Sequence, residues 1–317
     1  MHVSSEFKPT FVCVGVGKAG TTTLHYLLLQ RPDIVLVRAK EASFFNVESN
    51  YGRGMAWYRS LFGELSGQRH IGDITPGYFR SPVALLRIHR DLSSATKIIV
   101  IFRHPVARAF SHYLHDVRLL DNNRPFLEGG EVVDPSYMVK SLYADHMRLL
   151  LELFPRENIL PLIFERDMAN GRLLRAYAKV CGFLGIDEVK INTDVHKVPA
   201  FIPEARIIER DQDIAEASGI VKVKAGDIQL RTVLDSDSGV VTKYIHSPEE
   251  DQRQWYLRLQ SDVTRKLDPE MRQKLFQRYF AEDVAELREM LNDGISEWEE
   301  EPQTKPSNPS TAQHVPS

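Results

Sequence analysis

The chain has 317 residues, 43% of them hydrophobic, which suits one or two domains with a sizeable core. Its formal net charge of −3 provides no general positive field, so no nucleic-acid partner is expected. Cys13 and Cys181 lie in apolar segments, which favours buried thiols over a disulfide framework or a metal site. The start of the chain lacks a signal-peptide pattern, and no apolar run approaches the ~18 residues of a membrane span. We therefore expect a cytoplasmic protein without a membrane span.

Short β-branched and apolar runs alternate with helical patterns along the chain. The runs predict strands at residues 10–16, 34–37, 70–74, 97–102 and 158–164. The helical patterns cover residues 21–30, 55–62, 82–89, 106–120, 136–154, 173–184 and 268–291. This alternation favours a parallel sheet built from βαβ units. We expect an α/β fold in which helices flank a central parallel sheet.

A glycine-rich turn, Gly15-Val16-Gly17-Lys18-Ala19-Gly20-Thr21-Thr22-Thr23, joins the first predicted strand to the first predicted helix. Backbone N–H groups and the dipole at a helix start favour an anion, and Lys18 adds a positive charge. The spacing of Gly15 and Gly20 matches the nucleotide-binding pattern G-x-x-x-x-G-K-[ST], but Thr21 stands where that pattern needs lysine. The strand at 97–102 ends in Arg103, not in an acidic Mg²⁺ ligand. The sequence therefore predicts an anion site without a metal.

A second candidate anion site follows the strand at 97–102. Arg103 stands at the carboxyl end of this strand, where open α/β sheets bind ligands. Ser111 comes eight residues later, about two turns into the next predicted helix. An arginine can form two parallel hydrogen bonds with a phosphate, and a serine hydroxyl can add one more. The alternative interpretation is a surface arginine before a helix that begins at proline.

Both segments resemble the sulfotransferases that use 3′-phosphoadenylyl sulfate (PAPS). Residues 15–24 resemble their 5′-phosphosulfate loop, and residues 103–113 resemble their 3′-phosphate motif, R-x-P followed by R-A-x-S-x-Y, with His104 where Asn or Asp is common. The resemblance implies a P-loop NTPase-like sulfotransferase fold, with PAPS as co-substrate and Lys18 at the bridging oxygen between phosphate and sulfonate. The donor-binding residues that it implies are Lys18, Ala19, Gly20, Thr21, Thr22, Thr23, Arg103 and Ser111.

The segment Lys40-Glu41-Ala42-Ser43-Phe44-Phe45 resembles the K-E-x-x-F-F motif of the glycan branch, which includes the heparan sulfate enzymes. The resemblance implies that Glu41 is the catalytic base, since a carboxylate within hydrogen-bond reach can take the proton of an acceptor hydroxyl. The alternative is a solvated carboxylate paired with Lys40. Residues 72–79 resemble the motif E-K-[ST]-P-x-Y-F, but Ile74 replaces its lysine. This departure argues against a simple transfer of the heparan acceptor.

The predicted function is transfer of a sulfonate from PAPS to a hydroxyl, or less readily an amine, of a carbohydrate or glycoconjugate. The alternatives are a small natural-product alcohol as acceptor, an ATP-dependent phosphotransferase, and a nucleotide-binding protein without activity. We expect one domain over residues 1–298, with a variable substrate-side region at 187–262. Residues 299–317 are rich in Glu, Pro and Ser, which predicts a disordered tail. The basic pair Arg265-Lys266 stands where the family often closes a loop over the 3′-phosphate, although an ordinary basic pair before a helix is the favoured interpretation.

Overall fold

The computed structural model describes residues 7–38, 40–63, 70–93, 95–119, 124–193 and 267–299, together with the backbone of four strands between 220 and 260. The predictions for Arg265-Lys266, for the tail beyond residue 299 and for much of the region 187–262 lie outside the described residues. The extent of the single domain stays a prediction.

A five-stranded parallel sheet forms the centre of the fold, in the order β2-β3-β1-β4-β7. Its strands are β1 (Phe11–Gly15), β2 (Ile34–Leu36), β3 (His70–Ile74), β4 (Lys97–Phe102) and, after the hairpin of β5 (Leu127–Glu128) and β6 (Glu131–Val132), β7 (Ile159–Ile163). All of β1 and nearly all of β4 are buried, as expected for parallel strands covered on both faces. The predicted α/β class and central parallel sheet are confirmed.

The helices alternate with these strands much as the sequence predicts. In chain order they are α1 (Thr21–Leu28), α2 (Glu48–Tyr51), α3 (Gly54–Ser60), α4 (Pro82–Asp91), α5 (Pro105–Leu119), α6 (Ser136–Val139), α7 (Ala144–Leu153), α8 (Phe164–Asp167), α9 (Leu173–Leu184), α10 (Pro269–Tyr279) and α11 (Ala281–Leu291). Short 3₁₀ turns cover Arg156–Asn158 and Ser296–Trp298. Among the helices of the described ranges, none has the length and apolar character needed to cross a membrane.

Two long predicted helices are each divided in two. The predicted helix at 136–154 is interrupted between α6 and α7, where Ser141 is buried and its hydroxyl accepts a hydrogen bond from Arg108 Nε at 2.6 Å. The predicted helix at 268–291 is interrupted at Phe280, a buried residue with φ −133°. The second break starts α11 so that the Asp283 carboxylate accepts hydrogen bonds from the backbone N–H groups of Tyr143 and Ala144 at 2.8–3.0 Å. Asp283 thereby caps α7 from a distant segment, a contact that local sequence cannot predict.

The region 187–262, for which the sequence predicted no helix or strand, contributes four antiparallel strands. They are β8 (Ile220–Lys224), β9 (Arg231–Leu234), β10 (Val241–His246) and β11 (Gln254–Gln260), and they pair in the order β8-β11-β10-β9.

Candidate active site

The segments singled out in the sequence follow neighbouring parallel strands. The phosphate loop (residues 15–23) follows β1, the Glu41 loop (residues 40–45) follows β2, and residues 75–79 follow β3. Arg103 follows β4 directly. Because all five strands of the central sheet are parallel, their carboxyl ends lie at one edge, where ligands of open α/β sheets bind. The candidate site therefore lies along this edge.

Close packing explains two glycines of the phosphate loop. A Cβ at Gly15 would lie 2.9 Å from Cβ of Phe79 and 3.0 Å from the carbonyl oxygen of Pro76. Gly20 has φ +92°, and a Cβ there would lie 3.0 Å from Sδ of Met168. At Gly15 the close contact with Phe79 and the Pro76 backbone leaves no room for a side chain, and at Gly20 the positive φ favours glycine.

The start of α1 is open to an anion. Gly20 occupies the N-cap position, and no side chain of the described residues caps the helix there. The first N–H groups of a helix have no partner within the helix, so they and the hydroxyls nearby can bind an anion. Thr21 is buried, whereas Thr22 and Thr23 are half-buried, as is Lys18. Ala19 is buried behind the loop.

Arg103 joins the two predicted anion sites. Its guanidinium donates a hydrogen bond to the carbonyl oxygen of Lys18 at 2.8 Å and lies 4.9 Å from the ring centre of Phe164. Lys18 has φ +71°, a left-handed conformation that is uncommon for a residue with a side chain. The buried Nε of Arg103 has no hydrogen-bond partner within the described part of the chain. Burial lowers the pKa of Arg103. The 2.8 Å contact brings together two segments that are 85 residues apart in sequence.

Arg108 supports the phosphate loop from below, a role that the sequence analysis did not assign. This buried side chain donates to Oγ of Ser141 at 2.6 Å and to the carbonyl oxygen of Tyr137 at 3.1 Å, and it reaches the carbonyl oxygen of Gly17 at 3.5 Å. Burial lowers its pKa to about 10. Ser111 is partly buried and lies three residues further along α5, so it shares a helix face with Arg108.

The residues His104, Glu165 and Trp298 form a packed wall behind Arg103. One carboxylate oxygen of Glu165 accepts the backbone N–H of His104 at 3.0 Å, and the other accepts the indole N–H of Trp298 at 2.9 Å. Burial, together with the charges of Arg272 and Arg103, lowers the pKa of His104 to about 3. His104 is therefore neutral although cations lie beside it. Arg272 is a further arginine near Arg103 that the sequence did not reveal.

Glu41 itself is accessible. Its side chain is 40% exposed, and its carboxylate is 3.0 Å from the ammonium group of Lys40. Phe44 and Phe45 turn inward instead, where Phe44 stacks on Tyr58 with 4.4 Å between the ring centres. The ion pair with Lys40, which was the alternative interpretation of Glu41, is thus present in the structure. The same carboxylate is exposed, so an acceptor can reach it.

The Glu41 loop is attached to the chain that follows β3. The backbone N–H of Ala42 donates to Oγ1 of Thr75 at 3.0 Å, and that of Phe44 donates to the hydroxyl of Tyr78 at 3.0 Å. Ile74, the last residue of β3, is buried with 1% exposure, so this position contributes no charge to the site. Within the residues that the structure describes, no three His, Cys, Asp or Glu side chains are grouped so that they could hold a metal ion.

The sulfotransferase domain model matches residues 8–201, more than half of the 317 residues, and the chain therefore belongs to the sulfotransferase family. Human heparan sulfate glucosamine 3-O-sulfotransferase 6 is 34% identical over 195 residues, which cover 59% of this chain and 55% of that protein. Membrane-associated sulfotransferase kil1 of Dictyostelium discoideum is 36% identical over 119 residues, which cover 37% of this chain and 25% of that protein. The chain thus spans about a quarter to about half of these relatives, and its resemblance to the glycan branch is confirmed.

The fold has a counterpart among solved structures. The crystal structure of a sulfotransferase from Alicyclobacillus acidocaldarius superposes with a TM-score of 0.58, covering 93% of this chain and 100% of that one. The sequence identity is 23%, so this likeness concerns the fold alone. The predicted P-loop-like sulfotransferase fold is confirmed.

Proposed function

We propose that this chain transfers a sulfonate group from PAPS to a hydroxyl of a carbohydrate or glycoconjugate and releases adenosine 3′,5′-bisphosphate. The contact between Arg103 and the carbonyl oxygen of Lys18 is the observation that carries the proposal. PAPS bears an anionic group on each side of its ribose, and this contact supports the proposal because it joins the two segments predicted to bind anions.

The donor would be held by groups at the start of α1 and by side chains from the segment that follows β4. The N–H groups from Gly20 to Thr23 and the threonine hydroxyls would bind the 5′-phosphate. Arg103 and Ser111 would bind the 3′-phosphate, with Arg103 already oriented by its contact with the phosphate loop. An arginine buried with an unused N–H gains more from a phosphate than a solvated one does.

The reaction would be an in-line displacement at sulfur. The acceptor oxygen forms the new S–O bond while the bond from sulfur to the 5′-phosphate oxygen breaks, and the electron pair stays on that oxygen. Lys18 would stabilise the charge that develops on the leaving phosphate. Glu41 would take the proton of the acceptor hydroxyl, for which its exposed position leaves room.

The relatives support a glycan acceptor. Several of them are named heparan sulfate glucosamine 3-O-sulfotransferases, and the Glu41 loop carries the motif of that branch. Ile74 stands where the heparan-type motif has lysine, so the particular acceptor of those relatives is not transferred to this chain. The acceptor hydroxyl is therefore proposed only as part of a carbohydrate or glycoconjugate.

Ligand-dependent melting tests the donor assignment. Adenosine 3′,5′-bisphosphate should raise the melting temperature more than ATP does, with or without Mg²⁺, because a ligand that binds only the folded state stabilises it. Arg103→Met should remove most of this shift, while Arg278→Met, at an exposed arginine paired with Glu131, should keep it. Stabilisation by Mg·ATP alone would contradict the proposal and favour a phosphotransferase. Transfer of labelled sulfonate to glycans and to simple alcohols would then test the acceptor class.

A further inference from the structure

A buried carboxylate lies beneath the Glu41 loop. Asp73, the penultimate residue of β3, has 0% exposure. Its Oδ2 accepts hydrogen bonds from the hydroxyls of Tyr58 and Tyr78, each at 2.8 Å, and its Oδ1 accepts one from Thr75 Oγ1 at 2.7 Å. Burying a carboxylate is costly unless its oxygens are satisfied, and here three hydroxyls satisfy them.

Two of these hydroxyls also hold the Glu41 loop. Because Thr75 and Tyr78 donate their hydrogens to Asp73, their oxygens remain free to accept the N–H groups of Ala42 and Phe44. The Asp73 carboxylate therefore determines the direction of both hydrogen bonds to the Glu41 loop, in which the loop N–H groups donate and the Thr75 and Tyr78 oxygens accept. The two N–H groups lie one and three residues after Glu41, so the connections fix the backbone on which Glu41 stands.

The loop needs such support. Ser43, between the two held residues, has φ +47°, a left-handed conformation that is unfavourable for a residue with a side chain. Conformations of this kind persist only where the surroundings determine them. The carbonyl oxygen of Ser43 accepts a further hydrogen bond from the Asn50 amide at 3.1 Å. The observed shape of the loop is thus imposed by side chains from α2 and from the segment that follows β3.

We infer that Asp73 is a positioning residue: through Thr75 and Tyr78 it holds the Glu41 loop so that the Glu41 carboxylate meets the acceptor hydroxyl. This inference rests on the proposed function, since it concerns the base of that reaction. Asp73 touches neither donor nor acceptor in this role. Its effect on the reaction passes through two loop amides.

The two tyrosines provide a matched pair of variants. Tyr58 and Tyr78 each donate one hydroxyl to Oδ2 of Asp73 at 2.8 Å, and both are buried, but Tyr78 also holds the amide of Phe44. Tyr78→Phe should therefore lower kcat about 10-fold with an unchanged KM for PAPS, whereas Tyr58→Phe should change kcat less than about threefold. Thr75→Val should act like Tyr78→Phe, and Thr75→Ser should restore the rate because it keeps the hydroxyl.

Hydrogen exchange at the amides of Ala42 and Phe44 gives a readout that needs no activity. Exchange at Phe44 should accelerate in Tyr78→Phe and stay slow in Tyr58→Phe. Equal kcat in the two variants, or faster exchange in Tyr78→Phe without any loss of kcat, would overturn the positioning role. A wild-type chain that binds no adenosine bisphosphate and transfers no sulfonate would instead refute the proposed function, and the exchange result would show whether the Asp73 connections exist regardless.

Discussion

The phosphate loop and the Glu41 loop are both attached to the carboxyl edge of one sheet, but different groups hold them. The phosphate loop is held at its ends by β1 and α1 and is contacted by the guanidinium groups of Arg103 and Arg108 at its carbonyl oxygens. The Glu41 loop is followed by the short helix α2 and depends on the hydroxyls of Thr75 and Tyr78. In the proposed reaction, one loop would present backbone groups to the donor, whereas the other would present a side chain to the acceptor.

This difference has a consequence for substitutions. The backbone N–H groups of the phosphate loop remain when a side chain is replaced. A single substitution there should therefore remove charge while the rest of the anion site persists. The position of Glu41 depends on side-chain hydroxyls, so changes outside the loop should reach the reaction. Substitutions in the phosphate loop should therefore lower activity because a charge is lost. Substitutions around Glu41 should lower activity because its carboxylate is displaced.

Lys18→Ala should have the largest effect. If Lys18 stabilises the leaving phosphate, its removal should lower kcat by about 10³-fold, the size of effect seen when one preorganised group at a developing charge is lost. Affinity for adenosine bisphosphate should fall far less, because the backbone N–H groups remain. Sulfonate transfer and bisphosphate titration measure the two quantities. Lys190→Ala, at an exposed lysine, is the control, and an unchanged kcat in Lys18→Ala would show that the loop only binds.

Glu41→Gln should come next. Loss of a general base typically lowers the rate by about 10²-fold or more, and the amide keeps the size of the side chain. Bisphosphate-induced melting shifts should be unchanged, since no donor contact is assigned to Glu41. Glu48→Gln, a change at a carboxylate that is 81% exposed, provides the comparison. If both variants transfer sulfonate at the wild-type rate, Glu41 is the solvated residue that the sequence left as the alternative.

Arg103→Met should weaken donor binding more than it slows the reaction. A charged hydrogen bond to a phosphate contributes about 1.5–3 kcal/mol, so the dissociation constant of adenosine bisphosphate should rise about 10- to 100-fold. At saturating PAPS, kcat should fall by less than about threefold, because Arg103 contacts the carbonyl oxygen of Lys18 and not its ammonium group. A fall in kcat with unchanged affinity would reverse the assignment and make Arg103 part of the reacting centre.

The two loops also differ in how well sequence predicts them. The phosphate loop and the motif from Arg103 to Ser111 are each continuous runs that pass from the end of a strand into the next helix. Their local pattern was therefore sufficient to predict the strands, the helices and the resemblance. Their contact at the Lys18 carbonyl oxygen was not predicted, because it depends on how far one side chain reaches across the sheet edge.

The support of the Glu41 loop was beyond local pattern. Its motif identified Glu41, but the hydrogen bonds join residues more than 30 positions apart. Asp73 lies in the segment 72–79 that resembles a family motif, but that resemblance did not indicate its connection to the Glu41 loop. The divided helices have the same cause, since Asp283 caps α7 over 139–140 residues of sequence. Buried polar groups find whichever partners the packed fold supplies, and sequence spacing does not encode them.

The smallest predicted effect is a change in folding stability with pH, and it arises from His104 in the wall behind Arg103. The pKa of His104 is about 3 in the folded chain and about 6.5 when unfolded. At pH above 6.5 both states are neutral, and as the pH falls below 6.5 only the unfolded chain takes up the proton. Stability is therefore complete above pH 6.5 and declines below it. At pH 5.5 the loss from His104 should be about 1.4 kcal/mol.

His104→Asn should remove this part of the pH dependence. Denaturant unfolding at pH 7.5 and 5.5 should show a smaller difference for His104→Asn than for the wild-type chain, by about 1.4 kcal/mol. His89→Asn, at an exposed histidine, should leave the difference unchanged. The buried His25 and the half-buried His112, whose pKa values are lowered to about 4, should keep some acid sensitivity in every variant. An equal pH difference in all three chains would mean that His104 is protonated in the folded state, and the phosphate side would then carry one more positive charge than its geometry implies.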